Sequence, residues 1–123
     1  MRIPSLALAL ALAAGIASAG APATPPARFI LLLYEGPAFD SAGSRVAEYR
    51  DWAASLRTEG RQVSGDEILP EGTSLPPAEK GDRERLAGFF IVTAADLADA
   101  TAVGRRCPHL HHGGRVVVRA LGG

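Results

Sequence analysis

The chain has 123 residues, with 13 positive and 13 negative formal charges and a single cysteine. That length suits one domain and excludes two. The charge balance, with no Arg-rich stripe interleaved with aromatics, argues against a nucleic-acid partner or an anionic membrane surface. One cysteine, Cys107, excludes an internal disulfide, so stability must come from a packed core or from one completed by a second subunit.

In chain order, Met1-Arg2 gives a short positive start, and Leu6 to Ile16 is an unbroken apolar run. Ala17-Ser18-Ala19 and Ala19-Gly20-Ala21 then offer the small-x-small pattern that a signal peptidase reads. The run is far short of the roughly twenty residues needed to cross a hydrocarbon core. Residues 1–21 are therefore expected to be a cleavable signal peptide, which places the mature protein in the periplasm or outside the cell with no membrane attachment. Residues 22–27, with Pro22, Pro25 and Pro26, read as a linker, and residues 28–123 as the mature domain.

Phe29 to Tyr34 is apolar on both alternating sets, as a central strand buried on two faces requires. Glu35 to Gly43 reads as a loop. From Ser44 to Glu59 the period changes: Val46, Tyr49, Ala53 and Leu56 form a helical stripe flanked by Trp52. Asp40, Ser41 or Ser44 could cap its start, and Gly60 stands where a left-handed residue ends a helix. Arg61 to Leu69 predicts a second strand, Glu71 to Arg85 a surface loop, and Leu86 to Val92 a third strand. Thr93-Ala94-Ala95-Asp96 has capping-box spacing, predicting a second helix from there to Arg106 that buries Leu97, Ala100 and either Thr101 or Val103. Pro108 ends it, and Gly113-Gly114 turns the chain into a last strand, Arg115 to Leu121.

The order is strand, helix, strand, strand, helix, strand. Two right-handed crossovers of this kind predict an α+β, ferredoxin-like βαββαβ sheet with both helices on one face. The first and third strands are apolar on the other face too, and no further helix is available to cover it. Association with a second copy through that open face, giving a homodimer, is the expected remedy.

Five strings in this order, Phe29–Glu35, Leu86–Val92, Ala94–Leu97, Cys107–Leu110 and Gly113–Arg119, resemble the YCII-related (DGPF) domain family over Phe29 to Leu121. The resemblance implies a dimeric α+β barrel. Its wider superfamily holds small-molecule lyases, isomerases and oxygenases that act in the cleft between sheet and helices. It also implies proton chemistry by a His–Asp pair where a mechanism has been proposed. This chain departs from the pattern. The Asp-Gly-Pro-Phe string is absent before Gly88, the stretch Glu71 to Arg85 is shortened, and no histidine precedes His109. The dyad is therefore not carried over.

Tyr34, Asp66, His109 and Arg119 fall near predicted strand ends and are the candidate residues for a small-molecule ligand. An alternative is a lyase or isomerase using His109 with Asp66, Glu67 or Tyr34 as acid and base. Another is a metal module built from His109, His111 and His112, if His109-x-His111 places two imidazoles on one side of an extended segment. Cys107 is expected beside a helix C-terminus, which disfavours a reactive thiolate. No cofactor fingerprint, phosphate loop or Ser-His-Asp arrangement is present.

Overall fold

The structure, a computed structural model, describes residues 25–43, 45–78 and 83–123. The expected signal peptide and residues 22–24 of the expected linker lie outside these residues. Among the described residues no helix is long and apolar enough to cross a membrane.

The elements are β1 (Ala27–Glu35), α1 (Val46–Thr58), β2 (Val63–Glu67), β3 (Arg85–Ala94), α2 (Leu97–Arg105), a single turn α3 (Pro108–His111) and β4 (Arg115–Ala120). The strands form one antiparallel sheet in the order β2-β3-β1-β4. The two most apolar strands, β1 and β3, are central, and the short polar β2 is an edge. The chain is thus an α+β domain with the strand order of two split βαβ units, compatible with a ferredoxin-like fold.

The period-two alternation divides β1 between two environments. Phe29, Leu31 and Leu33 are buried on the helix side, with Val92 and Ala94 of β3. Against them pack Leu56 of α1, Ala100 and Val103 of α2, and Cys107, while Tyr49, Trp52, Phe90, Val116 and Val118 close the margins. Trp52 meets Phe90 edge to face at 5.1 Å. Gly104 is buried on α2 at a point where an added Cβ would come within 3.1 Å of Val118, so the missing side chain lets the helix settle on β4.

Several expected boundaries and caps move. β1 starts at Ala27, inside the expected linker, because Ala27 and Arg28 pair with Ala94 and Thr93. That pairing also carries β3 beyond Val92, so Thr93 is a strand residue and not a cap. Its hydroxyl accepts from the Gln62 amide (2.9 Å). Asp96 is the N-cap of α2, accepting from the Asp99 amide at 2.8 Å. Leu97 and Val46, expected in the core, are 54% and 58% exposed, since each sits in the first turn where its helix has not yet reached the sheet. α1 begins without a side-chain cap at Arg45. Asp40 pairs instead with the Arg45 guanidinium at 3.2 Å. Gly60 takes φ +91°, as a helix-ending glycine should.

At one end of the sheet the elements are tied by charge. Arg61 makes a two-pronged pair with Asp99 at 2.9 and 3.0 Å and donates to the Thr93 carbonyl. Glu59 binds Arg106 in the same forked way at 2.8 and 3.0 Å. These guanidinium contacts hold both the Asp99 and Glu59 carboxyls down at about 2.

Candidate functional site

The site is organised around His109. Pro108 opens α3 at the position where proline is best tolerated in a helix, and the resulting turn drives the next side chain into the protein. His109 is only 1% exposed. Its Nε2–H donates to the main-chain carbonyl of Tyr34 at 2.8 Å. Because a carbonyl can only accept, this fixes the tautomer: Nδ1 is unprotonated and accepts from the Tyr49 hydroxyl, also at 2.8 Å. Burial pushes the imidazole below its ordinary pKa, so the ring is neutral near pH 7. Burial likewise raises the Tyr49 hydroxyl to about 12, keeping it a donor.

The ring packs 4.9 Å from Phe39, and the Asp40 amide donates to the His112 carbonyl at 2.8 Å. The loop after β1 is therefore fastened to α3 by an aromatic contact and a backbone bond. Arg45 presses on Phe39 as well, its guanidinium carbon 5.3 Å from the ring centroid. Gly114 leaves room for the imidazole; an added Cβ there would overlap it.

Against this braced loop lies a cleft of about 340 Å³, lined by Glu35, Gly36, Pro37, Phe39, Ser41, Arg83 and Arg85. Arg85 is held in place by Glu35 (3.2 Å) and by the Ile68 carbonyl (2.8 Å). The cleft therefore combines an aromatic ring, a hydroxyl, the Glu35 carboxylate and two guanidinium groups, and it is largely open to solvent.

The four residues expected to bind a ligand do not converge. Tyr34 meets His109 only through its main-chain carbonyl, and its ring lies under the Arg115 guanidinium at 4.7 Å. Asp66 lies on β2 and Arg119 on β4, the two edges of the sheet, about 14 Å apart at the usual strand spacing. Neither Asp66 nor Glu67 is a hydrogen-bond partner of His109, whose two nitrogens are taken by Tyr49 and Tyr34.

The histidine cluster does not form a ligand set. His109 and His111 lie in a helical turn and not in an extended segment, so side chains two apart project differently. His112 Nε2 meets Glu48 at 2.6 Å while His111 is exposed. Among the described residues no group of three His, Cys, Asp or Glu side chains is placed to hold a metal. Cys107 is fully buried just beyond α2, and desolvation pushes its thiol up to about 11.

Sequence reasoning missed Phe39, Arg45, Arg83 and Arg85, and placed Tyr49 only as a core residue. The aromatic residue in a Gly- and Pro-rich loop was the one available signal for Phe39. Nothing local marks Arg83 and Arg85, because their place in the cleft depends on where the loop after β1 and the start of β3 come together.

An antiparallel four-stranded sheet with its helices on one face is an α+β architecture compatible with a ferredoxin-like fold. Residues 27–121 match the YCII-related domain, and the chain belongs to that family. A comparison with curated proteins gives no match.

Proposed function

We propose that this chain is an exported YCII-family binding domain, working as a homodimer through its open sheet face, that holds a small molecule in the cleft between the loop after β1 and the start of β3. His109 serves there as a framework group and not as an acid or base. One observation carries this reading: the family-pattern histidine has both ring nitrogens committed inside the protein, while the cleft next to it presents Phe39, Ser41, Arg83 and Arg85. A general base needs a nitrogen within reach of a substrate proton, and His109 offers none.

The test is saturation-transfer NMR of the purified protein against a library of small aromatic and aliphatic acids, amines and neutral analogues. The reading expects hits that are lost in Phe39→Ala and kept in Asp66→Asn. A library without a hit, or hits indifferent to Phe39→Ala, overturns the cleft as the binding site.

A further inference from the structure

The cleft beside His109 has a sign of charge as well as an apolar wall. The wall is built by a turn: the Phe39 amide donates to the Gly36 carbonyl at 3.0 Å, with Pro37 at the position whose φ proline presets. His109 and the Arg45 guanidinium then hold the Phe39 ring, which stays half-buried, with Pro37 beside it in the lining. The facing wall is the chain that leads into β3. It passes close to Gly36, where an added Cβ would stand 3.4 Å from the Glu84 side chain. Glu84 is committed to Arg115 at 2.7 Å and does not line the cleft, whereas its neighbours Arg83 and Arg85 do. Arg85 is anchored by the Ile68 carbonyl and by Glu35. Arg83 is exposed, and among the described residues it has no salt-bridge partner.

The lining therefore sets two guanidinium groups against one carboxylate, and that carboxylate is already engaged by Arg85. We infer that the cleft selects a small organic monoanion, a carboxylate with an apolar group, whose carboxylate lies against Arg83 and Arg85 and whose apolar part lies on Phe39 and Pro37. The planar fork of a guanidinium matches a carboxylate with paired N–H donors. An amine would meet the two cations, and a dianion would exceed the one uncompensated positive charge. An inorganic anion would leave Phe39 and Pro37 uncovered. Because the cleft is largely open, the bound carboxylate keeps part of its hydration. The preference over a neutral isostere is accordingly modest, about five- to tenfold.

This inference rests on the cleft proposed above as the binding site, and the experiment separates the two. Benzoate, benzamide and benzylamine carry one ring with a negative, a neutral and a positive group. Each is titrated into the purified ¹⁵N-labelled protein and followed by amide chemical shifts, which also verify the fold of every variant. The expected result is shifts centred on Gly36, Phe39 and Arg85, with benzoate about five- to tenfold tighter than benzamide and benzylamine weakest. Arg83→Gln should weaken benzoate about fivefold and leave benzamide within about twofold. Glu35→Gln removes the opposing carboxylate and should tighten benzoate about two- to threefold. Where Glu35→Gln disturbs the end of β1, Arg83→Gln at an exposed side chain still decides the sign. Added salt should narrow the gap between benzoate and benzamide. Inorganic phosphate binding as tightly as benzoate overturns the ligand class. Three probes that bind alike, or benzylamine binding tightest, with each lost in Phe39→Ala, overturn the anion and leave the cleft standing. No probe moving the cleft amides, or binding unmoved by Phe39→Ala, overturns both.

Discussion

The bond between Tyr49 and His109 can be measured as a coupling energy. Tyr49→Phe removes one hydroxyl and leaves Nδ1 of a buried imidazole without a donor. Leaving a buried polar atom unsatisfied costs about 1–3 kcal/mol. Tyr49 is only partly buried, so water can reach the neighbourhood, and the expected cost is about 1.5 kcal/mol, in the lower half of that range. His109→Phe removes both nitrogens and leaves the Tyr34 carbonyl and the Tyr49 hydroxyl unpaired. It also presses a larger ring against Gly114, for a total of about 3–5 kcal/mol. In the His109→Phe background, Tyr49→Phe removes a hydroxyl that has already lost its acceptor, and should cost nothing or stabilise slightly. The cycle therefore predicts a coupling of about 1–2 kcal/mol, well above the few tenths seen for independent sites. Urea unfolding followed by Trp52 fluorescence, at one fixed subunit concentration, gives the four stabilities. A Tyr49→Phe cost that is the same in both backgrounds would show that the two rings merely adjoin, and the bracing role given to His109 would fail.

Other consequences are as direct. Because the folded-state pKa of His109 lies below 6.5, the unfolded chain takes up the proton first, so stability should be full above about pH 6.5 and fall as pH drops, by at most about 1.4 kcal/mol per pH unit from this group. Denaturant melts from pH 8 to 5 should show this slope in the wild type and lose it in His109→Phe. A second loss should begin only below about pH 4.5, where Glu59 and Asp99, both held at about 2, protonate in the unfolded chain first. Gly114→Ala should lower stability by about 1–3 kcal/mol through its clash with the imidazole, read as a fall in melting temperature. The Cys107 thiol should react with Ellman's reagent at pH 8 at least about a hundredfold more slowly than a free thiol, and at the ordinary rate in urea.

The parts of the fold that were legible in the sequence are those in which local pattern and tertiary demand agree. Phe29 to Tyr34 and Leu86 to Val92 are apolar on both faces, which only central strands need, and they are the two central strands. The stripe Tyr49, Ala53 and Leu56 packs as a helix face should. The start of α2 was misread because two residues offer caps three positions apart. Thr93-x-x-Asp96 and Asp96-x-x-Asp99 share one spacing, and the choice between them is made by the pairing of Ala27 and Arg28 with β3. Such pairing is invisible to a local window.

The site was less legible for the same reason. Tyr49 and His109 are 60 residues apart, and His109 and the Tyr34 carbonyl 75. Each is ordinary in its own segment, and the bonds arise only when α1 and α3 are set against the end of β1. The cluster of three histidines drew attention to a metal because their spacing was read along an extended chain. Folding that segment into one turn sends His109 inward and leaves His111 in solvent. Phe39, Arg83 and Arg85 become a cleft only through the meeting of two loops.

The central claim, that His109 is a locked framework group and not an acid–base residue, is tested most directly by long-range ¹H–¹⁵N correlation of the histidine rings across a pH titration. The account predicts one imidazole fixed as the Nε2–H tautomer that takes up its proton only below pH 6.5. A His109 ring that exchanges between tautomers and takes up its proton near pH 6.5 would contradict it.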